Sequence, residues 1–170
     1  DENALVILNY GKYIEPDVIQ QFEKETGITI KYEEYESPEE MYTKYKAGSI
    51  KYDLICTSDY MIQKLINEGE VLEMDYDNIP LYENIDPTYV EFSKAFDLET
   101  KYTLPYFFGT LGILYNKTMV DEADMDSWNV LWDPKYKGQI IMENSVRDTF
   151  VPALRLLDYS INTTDEDELN

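Results

Sequence analysis

Three short stretches gather the side chains best suited to chemistry. Asn9, Tyr10, Gly11 and Tyr13 form the first, and Thr57, Ser58, Asp59 and Tyr60 the second. Glu143, Asn144, Ser145, Arg147 and Asp148 form the third. Protonated amines are drawn to aromatic faces by ~0.5–2 kcal/mol, and a carboxylate adds a charge-assisted hydrogen bond of ~1.5–3 kcal/mol. A bound anion would want helix N-termini without acids crowding them, yet Asp59 and Asp148 stand at such places. The chemistry implied is recognition of a cation. Each residue also has a structural reading: Ser58 and Asp59 suit a helix cap, Asp148 suits a first helical turn, and loop tyrosines often only pack.

Catalytic chemistry is poorly provided for. The chain has no histidine, and Cys56 is its one cysteine, so imidazole acid–base work, His or Cys/His zinc sites and an intrachain disulfide are excluded. Cys56 ends the apolar run Asp53-Leu54-Ile55-Cys56, which points to a buried structural thiol. Asp121, Asp124 and Asp126 lack the central glycine and distal glutamate of a calcium loop. There is no glycine-rich phosphate loop, and Trp128 and Trp132 read as anchors of a second core. No catalytic residue, metal or cofactor is expected.

The elements that must position these loops follow from periodicity. Leu5–Leu8 is an apolar run fit for a strand buried on both faces. Pro16 opens a helix with Val18, Ile19 and Phe22 on one face, and Gly27 closes it. Ile28–Tyr32 alternates as a second strand. Ser37-Pro38-Glu39-Glu40 starts a second helix with a capping box; Met41, Tyr42 and Tyr45 face inward and Gly48 ends it. Asp53–Cys56 is a third strand, and Thr57-Ser58-Asp59 caps a helix striped by Ile62, Leu65 and Ile66 and stopped at Gly69. This βαβαβα order predicts an α/β fold with a mainly parallel sheet covered by helices on both faces. The three loops then fall at strand carboxyl ends, where open α/β sheets bind ligands.

Beyond Gly69 the pattern changes. Residues 73–102 are rich in Asp, Asn, Tyr and Pro, and Pro80 and Pro87 break any long periodicity. Tyr102–Tyr106 and Leu111–Tyr115 read as extended segments joined through Phe107–Thr110. A short helix around Trp128–Leu131, a strand at Gln139–Met142 and a helix from about Arg147 to Leu157 then open a second α/β unit.

Composition sets the outer limits. Hydrophobic residues at 44% rule out disorder, which needs low hydrophobicity as well as high charge. Thirty-five acidic against 14 basic side chains give a net charge of −21, a field that repels nucleic acid and anionic lipid and gathers cations. The same acidity also serves plain solubility. No apolar run approaches the ~20 residues of a membrane span. No basic, then apolar, leader opens the chain, and Thr163–Glu168 announces a helix that has barely begun at Asn170. The expectation is a fragment of a longer chain.

Ordered matches along the chain carry a family resemblance. They include Asn9-Tyr10 through Tyr13, Phe22–Gly27 as FEKETG, Tyr35-Glu36-Ser37 with Met41-Tyr42, and Tyr52-Asp53-Leu54. Pro105-Tyr106, Leu131-Trp132, Tyr136-Lys137-Gly138, Arg147, Ala153-Leu154-Arg155 and Tyr159-Ser160 with Asn162-Thr163-Thr164 extend them. In these the chain resembles the spermidine/putrescine-binding proteins of bacterial polyamine ABC importers.

The resemblance implies a type II periplasmic-binding fold, two α/β lobes that close like a hinged clamp. Residues 1–108 would be lobe one, and 109–170 a crossover strand and the start of an incomplete lobe two. It implies a polyamine ligand, a membrane permease as partner, no nucleic acid, a monomer at full length, and a place outside the cytoplasmic membrane, periplasmic or lipid-anchored. Residue by residue, Tyr10 replaces a family tryptophan and Gly11 a threonine, while Tyr13, Ser58 and Tyr60 match. Asp148 stands for a glutamate that binds an amine. Ser145 falls where the family has an aspartate, so Asp59 or Glu143 would supply the missing charge, or the ligand differs in length. The other readings are a receptor of the same fold for a cationic vitamin or a metal, and a surface adhesin or interaction domain.

Overall fold

Ala4–Tyr10 forms β1, a run of apolar residues that lies in the middle of a three-stranded parallel sheet of order β2-β1-β3. The computed structural model describes residues 3–170. β2 (Thr29–Tyr35) pairs with β1 along its whole length, from Ala4 opposite Thr29 to Tyr10 opposite Tyr35. β3 (Leu54–Ile55) flanks the other side, with Leu8 opposite Ile55. A central parallel strand has neighbours on both edges, and Leu8 is accordingly fully buried.

Three helices come after the strands: α1 (Pro16–Thr26), α2 (Pro38–Ala47) and α3 (Asp59–Asn67). At α2 half of the expected capping box forms: the Ser37 hydroxyl accepts from the Glu40 amide at 3.2 Å, while the Glu40 carboxylate reaches past the N-cap to the Glu36 amide at 2.9 Å. Gly48 then ends α2 at φ +66°, a conformation that costs a side-chain-bearing residue energy. Met41 of α2 and Met61 and Leu65 of α3 close over Leu8 and Tyr35 to make the core. α1 departs from expectation. It is amphipathic, but it contains no buried residue, and Val18 and Phe22 remain 53% and 37% exposed. A three-stranded sheet offers α1 little surface, so periodicity set its face without providing a cover.

Past α3 the backbone is held by single-turn 3₁₀ segments at Tyr76–Asn78 and Pro80–Asn84 and by α4 (Pro87–Ser93). Asp97 organises the segment after α4. Buried at 2% exposure, its carboxylate accepts from the amides of Lys101 (3.1 Å) and Tyr102 (2.8 Å) and from the Thr103 hydroxyl (3.0 Å). A buried polar group persists only with such partners.

The chain divides into two compact units, Asp1–Phe108 and Gly109–Asn170. The second is built from 3₁₀ turns at Glu122–Asp124, Trp128–Trp132 and Pro134–Tyr136, with α5 (Val146–Leu156) and the short α6 (Glu166–Leu169). Its buried residues include Val130, Tyr136 and Leu154. Of the tryptophan pair, Trp128 is half-buried and Trp132 is 47% exposed, so Trp132 does not anchor this core as anticipated.

The expected strand at Gln139–Met142 does not form, the extended segments at Tyr102–Tyr106 and Leu111–Tyr115 join no ladder, and the short helix expected around Trp128–Leu131 is a 3₁₀ segment, Trp128–Trp132. Apolar runs suggest a strand, but a strand exists only where a neighbour supplies the ladder. None of these runs has one, and Leu114 and Ile141 stand almost wholly exposed.

Candidate functional site

The carboxyl ends of the three strands lie side by side in the first unit. Pairing of Leu8 with Ile55, and the Cys56 amide donating to the Leu8 carbonyl at 2.9 Å, set the Asn9–Tyr13 loop next to Thr57–Tyr60. Tyr35 ties all three ends together: its phenol donates to the Cys56 carbonyl and its ring lies 4.5 Å from that of Tyr10. Burial pushes the Tyr35 phenol far above the ordinary tyrosine range, so it stays protonated and a donor. Burial also pushes the Cys56 thiol up to about 11, which leaves it unreactive.

On this base stands a row of rings. Tyr10 stacks on Tyr13 with centroids 5.0 Å apart and planes 28° from parallel. Lys12 turns the backbone between them at φ +62°, a left-handed conformation uncommon for a residue with a side chain. Gly11 needs no such freedom: its amide donates to the Tyr35 carbonyl at 3.1 Å and continues the ladder beyond β1. Tyr106 fastens the loop from outside, its phenol donating to the Tyr13 carbonyl at 2.5 Å. Burial raises the Tyr106 phenol as well, which keeps that donor protonated.

Ser58 and Asp59 depart from the cap read from the sequence. Ser58 occupies the N-cap of α3, yet its hydroxyl caps nothing, and its buried oxygen has no partner. The Asp59 carboxylate accepts instead from the Tyr60 amide at 2.7 Å. Tyr60 donates its phenol to Glu39 at the start of α2, at 2.9 Å. A buried hydroxyl without a partner is costly, of order 1–3 kcal/mol, and strand-end loops are where a ligand can relieve such a cost.

Ser145, Asp148 and Glu143 lie in the second unit, around the start of α5. Ser145 is the N-cap, and its hydroxyl accepts from the Asp148 amide at 3.4 Å. Asp148 sits in the first turn, where a negative charge complements the helix dipole. The Glu143 carbonyl accepts from the Thr149 hydroxyl at 3.0 Å, and Arg147 donates to Asn162 at 2.7 Å. Ser145 thus serves as a helix cap.

Among the described residues, no group of three or more His, Cys, Asp or Glu is placed to hold a metal ion. Asp124 is taken up by Lys135 (2.7 Å) and by the Tyr136 phenol, which together hold its carboxyl below the usual range. Asp121 caps the turn at Glu122–Asp124. No helix among the described residues is long and apolar enough to cross a membrane.

Of the residues the sequence singles out, Tyr10, Gly11, Tyr13, Ser58, Asp59 and Tyr60 lie on neighbouring strand-end loops of the first unit, and Ser145 and Asp148 lie in the second. Sequence reasoning passed over Tyr35 as a site residue, although Tyr35 ends β2 and the strand-end rule applied to it as well.

Residues 17–169 match the family of bacterial extracellular solute-binding proteins. The spermidine/putrescine-binding periplasmic protein of Escherichia coli K12 is 40% identical over 99% of this chain. A putrescine/cadaverine-binding protein of Pseudomonas aeruginosa is 34% identical over 95% of it. A solved spermidine/putrescine ABC transporter substrate-binding protein from Streptococcus pneumoniae superimposes with a TM-score of 0.79 and 43% identity, over 98% of this chain and 51% of its own length. The chain spans about half the length of the curated relatives it matches, 48% and 47% of these two. A parallel α/β sheet whose strand ends carry the candidate site, together with a match over residues 17–169, leads to one conclusion: the chain belongs to the bacterial extracellular solute-binding proteins.

Proposed function

We propose that this chain is the N-terminal part of an extracytoplasmic polyamine receptor that delivers its ligand to the permease of an ABC importer. The observation that carries the reading is the stacked Tyr10–Tyr13 pair beside the unpartnered Ser58 hydroxyl at the strand ends. Stacked rings offer faces to an alkylammonium chain, and Ser58 and the carboxylates can take its N–H donors. Relatives named for spermidine, putrescine and cadaverine support the same ligand class. Periplasmic relatives, and a similar Treponema pallidum protein described as a lipoprotein, support a place outside the cytoplasmic membrane.

In this reading residues 1–108 are lobe one and 109–170 open lobe two. Chain beyond Asn170 would pair with the exposed runs at Leu111–Tyr115 and Gln139–Met142. Asp148 would face one amine. Ser145, spent on a helix cap, would not, so Asp59 or Glu143 compensates or the preferred ligand differs in length. The full-length protein would act as a monomer and would not bind nucleic acid.

Thermal-shift screening of the full-length protein against polyamines, amino acids, metals and sugars tests the reading, followed by calorimetry on the hits. Stabilisation by polyamines alone is expected, with a loss of affinity in Asp59→Asn or Glu143→Gln. No shift with any amine would refute the function. Unchanged spermidine affinity in both variants would refute the compensation.

A further inference from the structure

The row of rings at the strand ends does not stop at Tyr13. The Phe107 centroid lies 4.9 Å from that of Tyr13, with planes 59° apart, and 4.7 Å from Tyr106 in an edge-on arrangement. From Tyr35 through Tyr10, Tyr13 and Phe107 to Tyr106, successive rings are 4.5, 5.0, 4.9 and 4.7 Å apart. Tyr35, at the inner end, is buried, whereas Phe107 is 66% and Tyr13 42% exposed. A phenylalanine serving the core would bury its ring, because that burial is its main contribution to stability. The neighbouring Phe108 turns elsewhere, to Tyr89 at 5.2 Å and Phe92 at 6.2 Å, so Phe107 alone of the pair joins the strand-end row.

We propose that Phe107 is a further ligand-contacting residue of this site, its ring extending the Tyr10–Tyr13 surface for the methylenes and ammonium groups of an alkylpolyamine. The assignment rests on the polyamine reading above. A linear polyamine alternates short apolar stretches with positive charges, and a series of ring faces serves both parts. Phenylalanine adds no hydroxyl that would need a partner of its own. The Tyr106 phenol, donating to the Tyr13 carbonyl, fixes the segment that presents it. Phe107 therefore contributes to affinity for every amine of the class, and most to those long enough to pass beyond Tyr13.

The test compares Phe107→Leu and Phe107→Trp with the unsubstituted full-length protein. Calorimetry with spermidine should show a roughly three- to thirtyfold weaker dissociation constant for Phe107→Leu, the range of one cation–ring contact, with the ligand-free thermal midpoint unchanged. Phe107→Trp should keep its affinity and report the contact directly, as a spermidine-induced emission change beyond that of the unsubstituted protein, whose Trp128 and Trp132 also emit. Unaltered affinity in Phe107→Leu, or a Phe107→Trp emission blind to spermidine, overturns the assignment while the polyamine reading stands. An unsubstituted protein that binds no polyamine overturns both.

Discussion

Gly11 lies between two ring-bearing residues, and its backbone makes no demand that only glycine can meet. A β-carbon there would sit 3.7 Å from Glu34 Oε2 and 3.9 Å from the Tyr35 carbonyl, ordinary contact distances. A residue with fewer unfolded conformations should therefore stabilise the protein, by ~0.4–1 kcal/mol where the native conformation suits it. Gly11→Thr, the residue the family resemblance suggests here, is expected to raise the unfolding free energy obtained from urea titration by that amount. A loss of stability would mean the loop has a conformation closed to threonine. Ser58 teaches the complementary lesson. As a residue type it could cap or contact a ligand, and only its surroundings show that Asp59 holds the Tyr60 amide and leaves the serine oxygen without a partner.

Between elements, the clearest device is the clamp that joins α2 to the end of α3. Tyr42 donates to Glu68 (2.9 Å), Tyr45 to Glu70 (2.5 Å), and Lys46 pairs with Glu70 at 2.7 Å and Glu68 at 3.4 Å. Lys64 adds a 3.0 Å pair to Glu68 and lies 4.8 Å from the centroid of the Tyr42 ring. Hydrogen bonds from Lys64 and Tyr42 hold the Glu68 carboxyl below the usual range, and those from Lys46 and Tyr45 do the same for Glu70. A carboxyl depressed in the folded state stabilises the fold above its unfolded pKa, and that contribution fades as pH falls through the lower folded value. Glu68→Gln with Glu70→Gln should be less stable than the parent at neutral pH and should lose less stability on acidification below about pH 4.5. Urea midpoints measured across that range decide it, and parallel curves would dismiss the clamp as a source of acid sensitivity.

For the whole molecule, the net charge of −21 sets the terms. Exposed ion pairs such as Lys101–Glu73 at 3.8 Å contribute little against self-repulsion of that size. Screening by salt, with a Debye length of ~10 Å at 0.1 M, should therefore raise the thermal midpoint between low and moderate ionic strength. The same salt should slow polyamine association, because the field that strains the fold also gathers cations. A midpoint that falls with added salt would show that ion pairs outweigh the repulsion.

How much of the fold and site was legible in the chain depends on which interactions are local. The Ser37 cap, the left-handed stop at Gly48, the βαβαβα order and the placement of Tyr10, Tyr13, Ser58 and Tyr60 at strand ends all depend on residues a few positions apart. The sequence carried them, along with the rings and carboxylates on which the proposed cationic ligand rests. Tertiary structure alone decided whatever depends on partners distant in sequence. Tyr35 meets Cys56 across 21 positions, and the Tyr106 phenol reaches Tyr13 across 93. Leu111–Tyr115 and Gln139–Met142 had a strand's composition and acquired no ladder. Hydrophobic pattern fixes which face of a segment avoids water, but hydrogen bonds and ring contacts require a second segment in register, which a periodicity cannot supply.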